Sequence, residues 1–261
     1  MDRLDRAKWY QAGIECLQSK DSSGAISAFQ QVLKEDPRCG DAYSGIGHAF
    51  LDLGELSGAK AAFCKAVEFK PTPSRYVLLG GVLKKLGERK AALDAFQSAL
   101  HLSPENEEAL FNAADIVQEK HPEQAIEMLR KALEIAPGFV DGYIELGALL
   151  NRTGQFHAAE RLLRKGVELD SSNLWMWIEL GNSLWRMGET TAAEQMFVNL
   201  AERFPNAPEP LWTLGLYVEQ MGRVREAEDF FEQAVARRPT DESAQSALAG
   251  FVERRNSMRV S

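Results

Sequence analysis

Residues 51–71 read LDLGELSGAKAAFCKAVEFKP, and residues 83–104 read LKKLGERKAALDAFQSALHLSP. A glycine (Gly54, Gly87), an alanine (Ala59, Ala92), a phenylalanine (Phe63, Phe96) and a closing proline (Pro71, Pro104) persist, while the residues between them change. Retention of small residues and stops with free exchange of filler is the mark of a repeated structural unit.

The same alanine recurs along the whole chain as Ala25, Ala59, Ala92, Ala125, Ala159, Ala193 and Ala227, at spacings of 34, 33, 33, 34, 34 and 34 residues. Four residues after each stands Phe29, Phe63, Phe96, Leu129, Leu163, Phe197 or Phe231. Twelve residues after it come Pro37, Pro71, Pro104, Pro137, Ser171, Pro205 and Pro239. Upstream, a small residue repeats as Gly13, Gly47, Gly80, Ala114, Gly147, Gly181 and Gly215. Four positions before it a large one repeats as Trp9, Tyr43, Tyr76, Leu110, Tyr143, Trp177 and Leu211.

Apolar residues three and four apart put one apolar stripe on each of two helices per unit. Gly54, Gly87, Gly154, Gly188 and Gly222 suit a left-handed cap between the helices, and the proline ends the second helix. Paired small residues, Gly47 and Ala59 for instance, are expected to let the two helices approach. A lone hairpin cannot bury its stripes, so the units must stack into a solenoid.

This large/small/small/aromatic/proline pattern resembles the tetratricopeptide repeat (TPR) family over roughly residues 6–241. Seven repeats are expected, at 6–39, 40–72, 73–106, 107–139, 140–173, 174–207 and 208–241, within a single array over 1–255. A capping helix follows over 242–255, with Asp241 as its N-cap, and then a flexible tail over 256–261. The resemblance implies an all-α, right-handed superhelix of helical hairpins. Two departures stand out. Repeat four lacks its turn glycine and is one residue short, so the Gln118–Pro122 turn is expected to differ. Ser171 replaces the proline of repeat five, which is expected to loosen that joint.

The bulk numbers exclude several function classes. Over 261 residues the chain is 45% hydrophobic and 26% charged, as in a folded globular protein, with a net charge of −8 that disfavours nucleic acid and anionic membrane. No apolar run is long enough to span a bilayer, and the charged start MDRLDRAKWY has no signal-peptide core. Three scattered cysteines, Cys16, Cys39 and Cys64, form neither a disulfide framework nor a metal cage. A reducing, cytoplasmic setting is expected. His48, His101, His121 and His157 fall in four different repeats with no ligand at metal spacing. No phosphate-binding glycine loop is present. Catalysis, metal and cofactors are therefore not expected.

Binding of a protein or peptide remains. In the TPR family the first helices of the hairpins line a concave groove. Here the central first helices would present Glu108, Phe111, Asn112 and Asp115, then Asp141 and Glu145, an acidic stretch that would favour basic residues in a partner. Farther on, Glu179 extends the acidic face, and Trp175, Ile178, Asn182 and Trp185 share one helical stripe, with Trp212 in the next repeat. Large aromatics in a groove are the residue type that anchors aromatic or aliphatic ligand groups. The alternative for these tryptophans is packing between neighbouring first helices, or against Phe204 and the next loop. Gly45, Gly80 and Gly81 in the N-terminal third would allow a ligand backbone to approach, or serve packing. Lys84, Lys85, Arg152 and Arg186 end first helices, where they suit the helix dipole or form a rim selecting acidic groups. Some family members bind chaperone C-terminal carboxylates through a clamp of lysine, asparagine and arginine. The matching positions here hold Tyr10, Ile14, Gly45, Ser74 and Leu78, so that clamp is absent. Two rival readings are a self-assembling scaffold joined through the exposed first hairpin (Trp9, Tyr10, Ile14), and a regulatory segment of a larger enzyme.

Overall fold

The computed structural model of the protein describes residues 3–260, and among these it contains fifteen α-helices. They fall into two compact units that meet in sequence at Pro137 and Gly138. The first unit comprises the hairpins α1 (Arg3–Gln18) with α2 (Ser22–Glu35), α3 (Gly40–Asp52) with α4 (Leu56–Phe69), α5 (Pro73–Lys85) with α6 (Arg89–Leu102), and α7 (Glu107–Val117) with α8 (Pro122–Ile135). The second comprises α9 (Val140–Arg152) with α10 (Phe156–Leu169), α11 (Leu174–Arg186) with α12 (Thr190–Arg203), α13 (Glu209–Gln220) with α14 (Val224–Arg237), and a last helix α15 (Glu242–Val260). Two helices per 34-residue unit appear in all seven repeats. Asp241 caps α15 by accepting the Ala244 N–H at 2.9 Å. That helix runs beyond residue 255 to Val260, and Ser261 lies outside the described residues.

The repeating alanines are the point of closest packing: all seven, Ala25 through Ala227, have no solvent exposure. The aromatic residue four positions later is equally enclosed, with Phe29, Phe63, Phe96, Phe197 and Phe231 all fully buried. The small residue of the first helix is explained by that ring. A Cβ on Gly47 would lie 2.7 Å from Cε1 of Phe63, and one on Gly80 would lie 2.6 Å from Cε1 of Phe96. The glycine therefore makes room for the phenylalanine of its own hairpin, rather than for the alanine with which the sequence pairs it.

The turns follow one design. At Gly54 (φ +75°) the glycine N–H donates to Leu51 O at 3.0 Å and the Glu55 N–H to Phe50 O at 2.8 Å. This double bond pattern closes a helix on a left-handed residue. Gly87, Gly154, Gly188 and Gly222 repeat it with φ between +77° and +86°. Repeat one makes the same cap without glycine: Lys20 adopts φ +61°, with Asp21 N–H donating to Cys16 O at 2.8 Å. Repeat four departs as its sequence suggests. Its first helix α7 has eleven residues against thirteen in α3 and α5, and no residue of its turn has positive φ.

The joint at Ser171, where proline is missing, is crossed by side-chain hydrogen bonds. The Ser171 carbonyl accepts from the Trp177 indole at 2.9 Å and from Arg203 at 2.7 Å. Beside it, the Asp170 carboxylate accepts from Ser172 Oγ at 2.6 Å and N at 2.9 Å, bonds that hold its pKa below the ordinary value.

Candidate functional site

In a stack of hairpins the end of each first helix carries residues needed neither by the alanine–phenylalanine core nor by the turn. In the second unit these residues converge. Asn151 at the end of α9 donates from Nδ2 to the Glu179 carboxylate at 2.9 Å and to the Glu179 carbonyl at 3.0 Å, both on α11. Its Oδ1 accepts from the fully buried Ser183 hydroxyl at 2.8 Å. One turn farther along α11, Asn182 Oδ1 accepts from the Tyr217 hydroxyl of α13 at 2.7 Å. The Tyr217 ring lies flat on Trp185, with centroids 4.2 Å apart and planes at 16°. Burial pushes the Tyr217 phenol up to about 12, so it remains a neutral donor.

Asn151, Glu179, Asn182 and Tyr217 wall a cavity of about 200 Å³ between α9, α11 and α13. Ala148 and Arg152 complete its α9 wall, and Arg186 completes its α11 wall. Arg186 is exposed and forms no salt bridge among the described residues. A second cavity of about 530 Å³ lies between α13 and α15, against Trp212, Leu216, Ser243 and Ser246. The Trp212 indole N–H is buried without an acceptor, and Arg254 at the rim is held by both Glu219 oxygens at 2.9 and 2.8 Å.

The expected tryptophan stripe is thus divided in its roles. Trp175 is 51% exposed, whereas Ile178 (3%) and Trp185 (9%) are buried between first helices. Trp212 is half-buried on α13. Glu179 and Asn182 both belong to the small cavity. Tyr217 was not legible as part of this site, because at the sequence level it reads as one more apolar residue of α13. Asp141 is exposed on α9, and Glu145 is partly buried on the same helix.

In the first unit, Glu108 is exposed on α7 and Phe111 partly buried. Asp115 is neutralised: Lys84 of α5 reaches its carboxylate at 2.8 Å and Asn112 Oδ1 at 3.2 Å. Lys84 therefore joins two first helices as well as suiting the end of its own. Of the three inner glycines, Gly45 faces the Phe29 ring and Gly80 the Phe96 ring, while a Cβ on Gly81 would meet nothing within 4 Å. Packing accounts for the first two.

Among the described residues no group of three or more histidine, cysteine or carboxylate side chains is placed to hold a metal ion. No helix among them is long and apolar enough to cross a membrane.

A family model described as tetratricopeptide repeat matches residues 10–74, 78–138 and 178–242, and a second with the same description matches 116–176. The chain is 26% identical over 145 residues to tetratricopeptide repeat protein 37 of Xenopus laevis, a match covering 49% of this chain and 9% of that protein. The matched region is therefore about a tenth of that relative's length. Among solved structures, the MamA protein is similar at 25% identity with a TM-score of 0.58, covering 64% of this chain and 92% of that one. The C-terminal part of a TPR repeat-containing protein from Cytophaga hutchinsonii is similar in fold, at 14% identity and a TM-score of 0.72, covering 92% and 99%.

Proposed function

This chain belongs to the tetratricopeptide repeat family, whose fold supports protein–protein interaction in general, and we propose that it is a non-catalytic adaptor holding a peptide segment of a partner on its first-helix face. The observation that carries this reading is the polar cavity between α9, α11 and α13. Asn182, Glu179 and Arg186 present hydrogen-bonding groups there that the repeat core does not require. Tyr217, stacked on Trp185, holds Asn182, and Asn151, itself bonded to Ser183, holds Glu179. Preorganised polar groups on rigid helices lower the ordering cost of binding to the partner's own share. Trp175, half exposed on the same helix, offers an aromatic surface to apolar anchors in that segment. In the first unit the exposed Glu108 would draw basic residues.

The test is site-specific photocrosslinking in the source cell. A benzophenone amino acid at Trp175 should trap a partner segment, while one at the exposed Glu202 of α12 should not. A partner trapped only from Glu202 would place binding on the second helices and end this reading.

One observation favours self-assembly as a second reading. Trp9 occupies the repeat position at which Leu110, Tyr143 and Leu211 are buried and Tyr43, Tyr76 and Trp177 partly buried, yet it is 39% exposed. A second copy could cover it. Sedimentation that rises with concentration and is abolished by Trp9→Ala would support this; a size independent of concentration would remove it.

A further inference from the structure

We propose that the cavity between α9, α11 and α13 is a subsite for an acidic side chain of the bound segment, held by Arg186 and Asn182. This inference rests on the first-helix reading above and adds the chemistry of one contact to it. It also reverses the charge preference that Glu179 suggests in sequence.

A cavity of about 200 Å³ lies below the roughly 300–1,000 Å³ typical of small-molecule sites. It suits one side chain of a larger ligand. Its wall then decides which side chain. Glu179 is the one carboxylate in the wall, and its Oε2 already accepts from Asn151. The Arg186 guanidinium, which forms no salt bridge among the described residues, shares the same wall, so a lysine or arginine guest would meet its positive charge.

The donors left over are those an acid needs. Tyr217 occupies the Asn182 carbonyl, which leaves Nδ2 as the free end of that carboxamide, with no acceptor among the described residues. The Tyr217 ring that donates to that carbonyl is itself held by its stack on Trp185. Arg186 stands one turn along α11 from Asn182, the spacing that brings two side chains to the same helical face. One planar fork and one amide can thus donate together to two carboxylate oxygens. The rim role considered for Arg186 in sequence therefore becomes specific, while helix-end placement alone would not need a cavity or an oriented amide beside it.

The test uses the full chain and a positional-scanning library of acetylated, amidated dodecapeptides, so that every carboxylate offered belongs to a side chain. The expected result is one peptide position at which Glu or Asp is enriched about tenfold or more over Gln and Lys, as loss of a charged hydrogen bond implies. Arg186→Gln and Asn182→Ala should flatten that position and leave preferences at the others in place. Arg186→Lys, which keeps the charge but loses the fork, should restore part of it. Arg186 is exposed, so its variants should melt like the wild type, and this is checked by circular dichroism. Enrichment of Lys or Arg at that position, or an acidic preference unchanged in Arg186→Gln, overturns the proposal and leaves the first-helix reading standing. A parallel library with free C-termini that binds through the terminal carboxylate alone also overturns it. No enrichment at any position removes the first-helix reading itself, and this proposal with it.

Discussion

The Trp185 and Tyr217 rings, contributed by α11 and α13, stack 4.2 Å apart at 16° and thereby join two consecutive first helices. A residue whose spacing suggests a ligand anchor is instead a structural contact that orients one. The stack sets Tyr217, Tyr217 sets the Asn182 amide, and the amide faces the cavity. Mutating Trp185 and mutating Trp175 should consequently have opposite signatures.

Trp185→Ala removes a buried ring and should cost the second unit about 3–5 kcal/mol in urea denaturation. Trp175→Ala, at a half-exposed site, should leave stability within about 0.5 kcal/mol while reducing capture of a partner segment. Equal stability losses in the two variants would contradict this division.

Two glycine substitutions in the first unit should move stability in opposite directions. At Gly47 an added methyl lies 2.7 Å from the Phe63 ring, so Gly47→Ala should destabilise by about 1–3 kcal/mol through overpacking. At Gly81, inside α5, the methyl meets open space, and Gly81→Ala should stabilise by about 0.5–1 kcal/mol through helix propensity. Urea midpoints of the two variants decide the matter; a loss at both positions would mean that Gly81 is also packed.

The left-handed caps make a third pair. Gly154→Ala (φ +79°) should lose roughly 1–2 kcal/mol, because a side chain in that region meets its own carbonyl. Lys20→Gly should gain up to about 1 kcal/mol, since lysine already bears that strain at φ +61°. Thermal melts of both variants test the pair, and a destabilised Lys20→Gly would show that the lysine side chain compensates for its backbone.

Tyr217 should give the fold an alkaline dependence. Its phenol titrates at about 12 in the folded state and near 10 when unfolded, so the native state holds the proton more tightly. The contribution is complete below pH 10 and is lost as pH rises from there through 12, amounting to about 2–3 kcal/mol at most. Urea denaturation at pH 9 and pH 11.5 should show a steeper decline for the wild type than for Tyr217→Phe. Parallel declines would mean that the phenol is not held neutral by burial.

What the sequence determined by itself is everything that repeats. The 34-residue period, the two helices per unit, the turn glycines and the seven buried alanines follow from local spacing, because each is dictated by contacts within one hairpin or between adjacent ones. The unusual turn of repeat four was legible for the same reason, as a missing residue changes a local count. The left-handed Lys20 was not, since lysine carries no turn signal and only the flanking helices force it there. Nor was the hydrogen-bonded joint at Ser171, which depends on Trp177 and on Arg203 some thirty residues away. Tertiary structure also decided which groove residues are free. Ile178 and Trp185 are drawn into contact between first helices, Asp115 is neutralised by Lys84 from another hairpin, and Asn182 is turned by Tyr217 thirty-five positions distant. Such pairings depend on the distance and rotation between neighbouring repeats, quantities set by side-chain packing in three dimensions and carried by no local pattern.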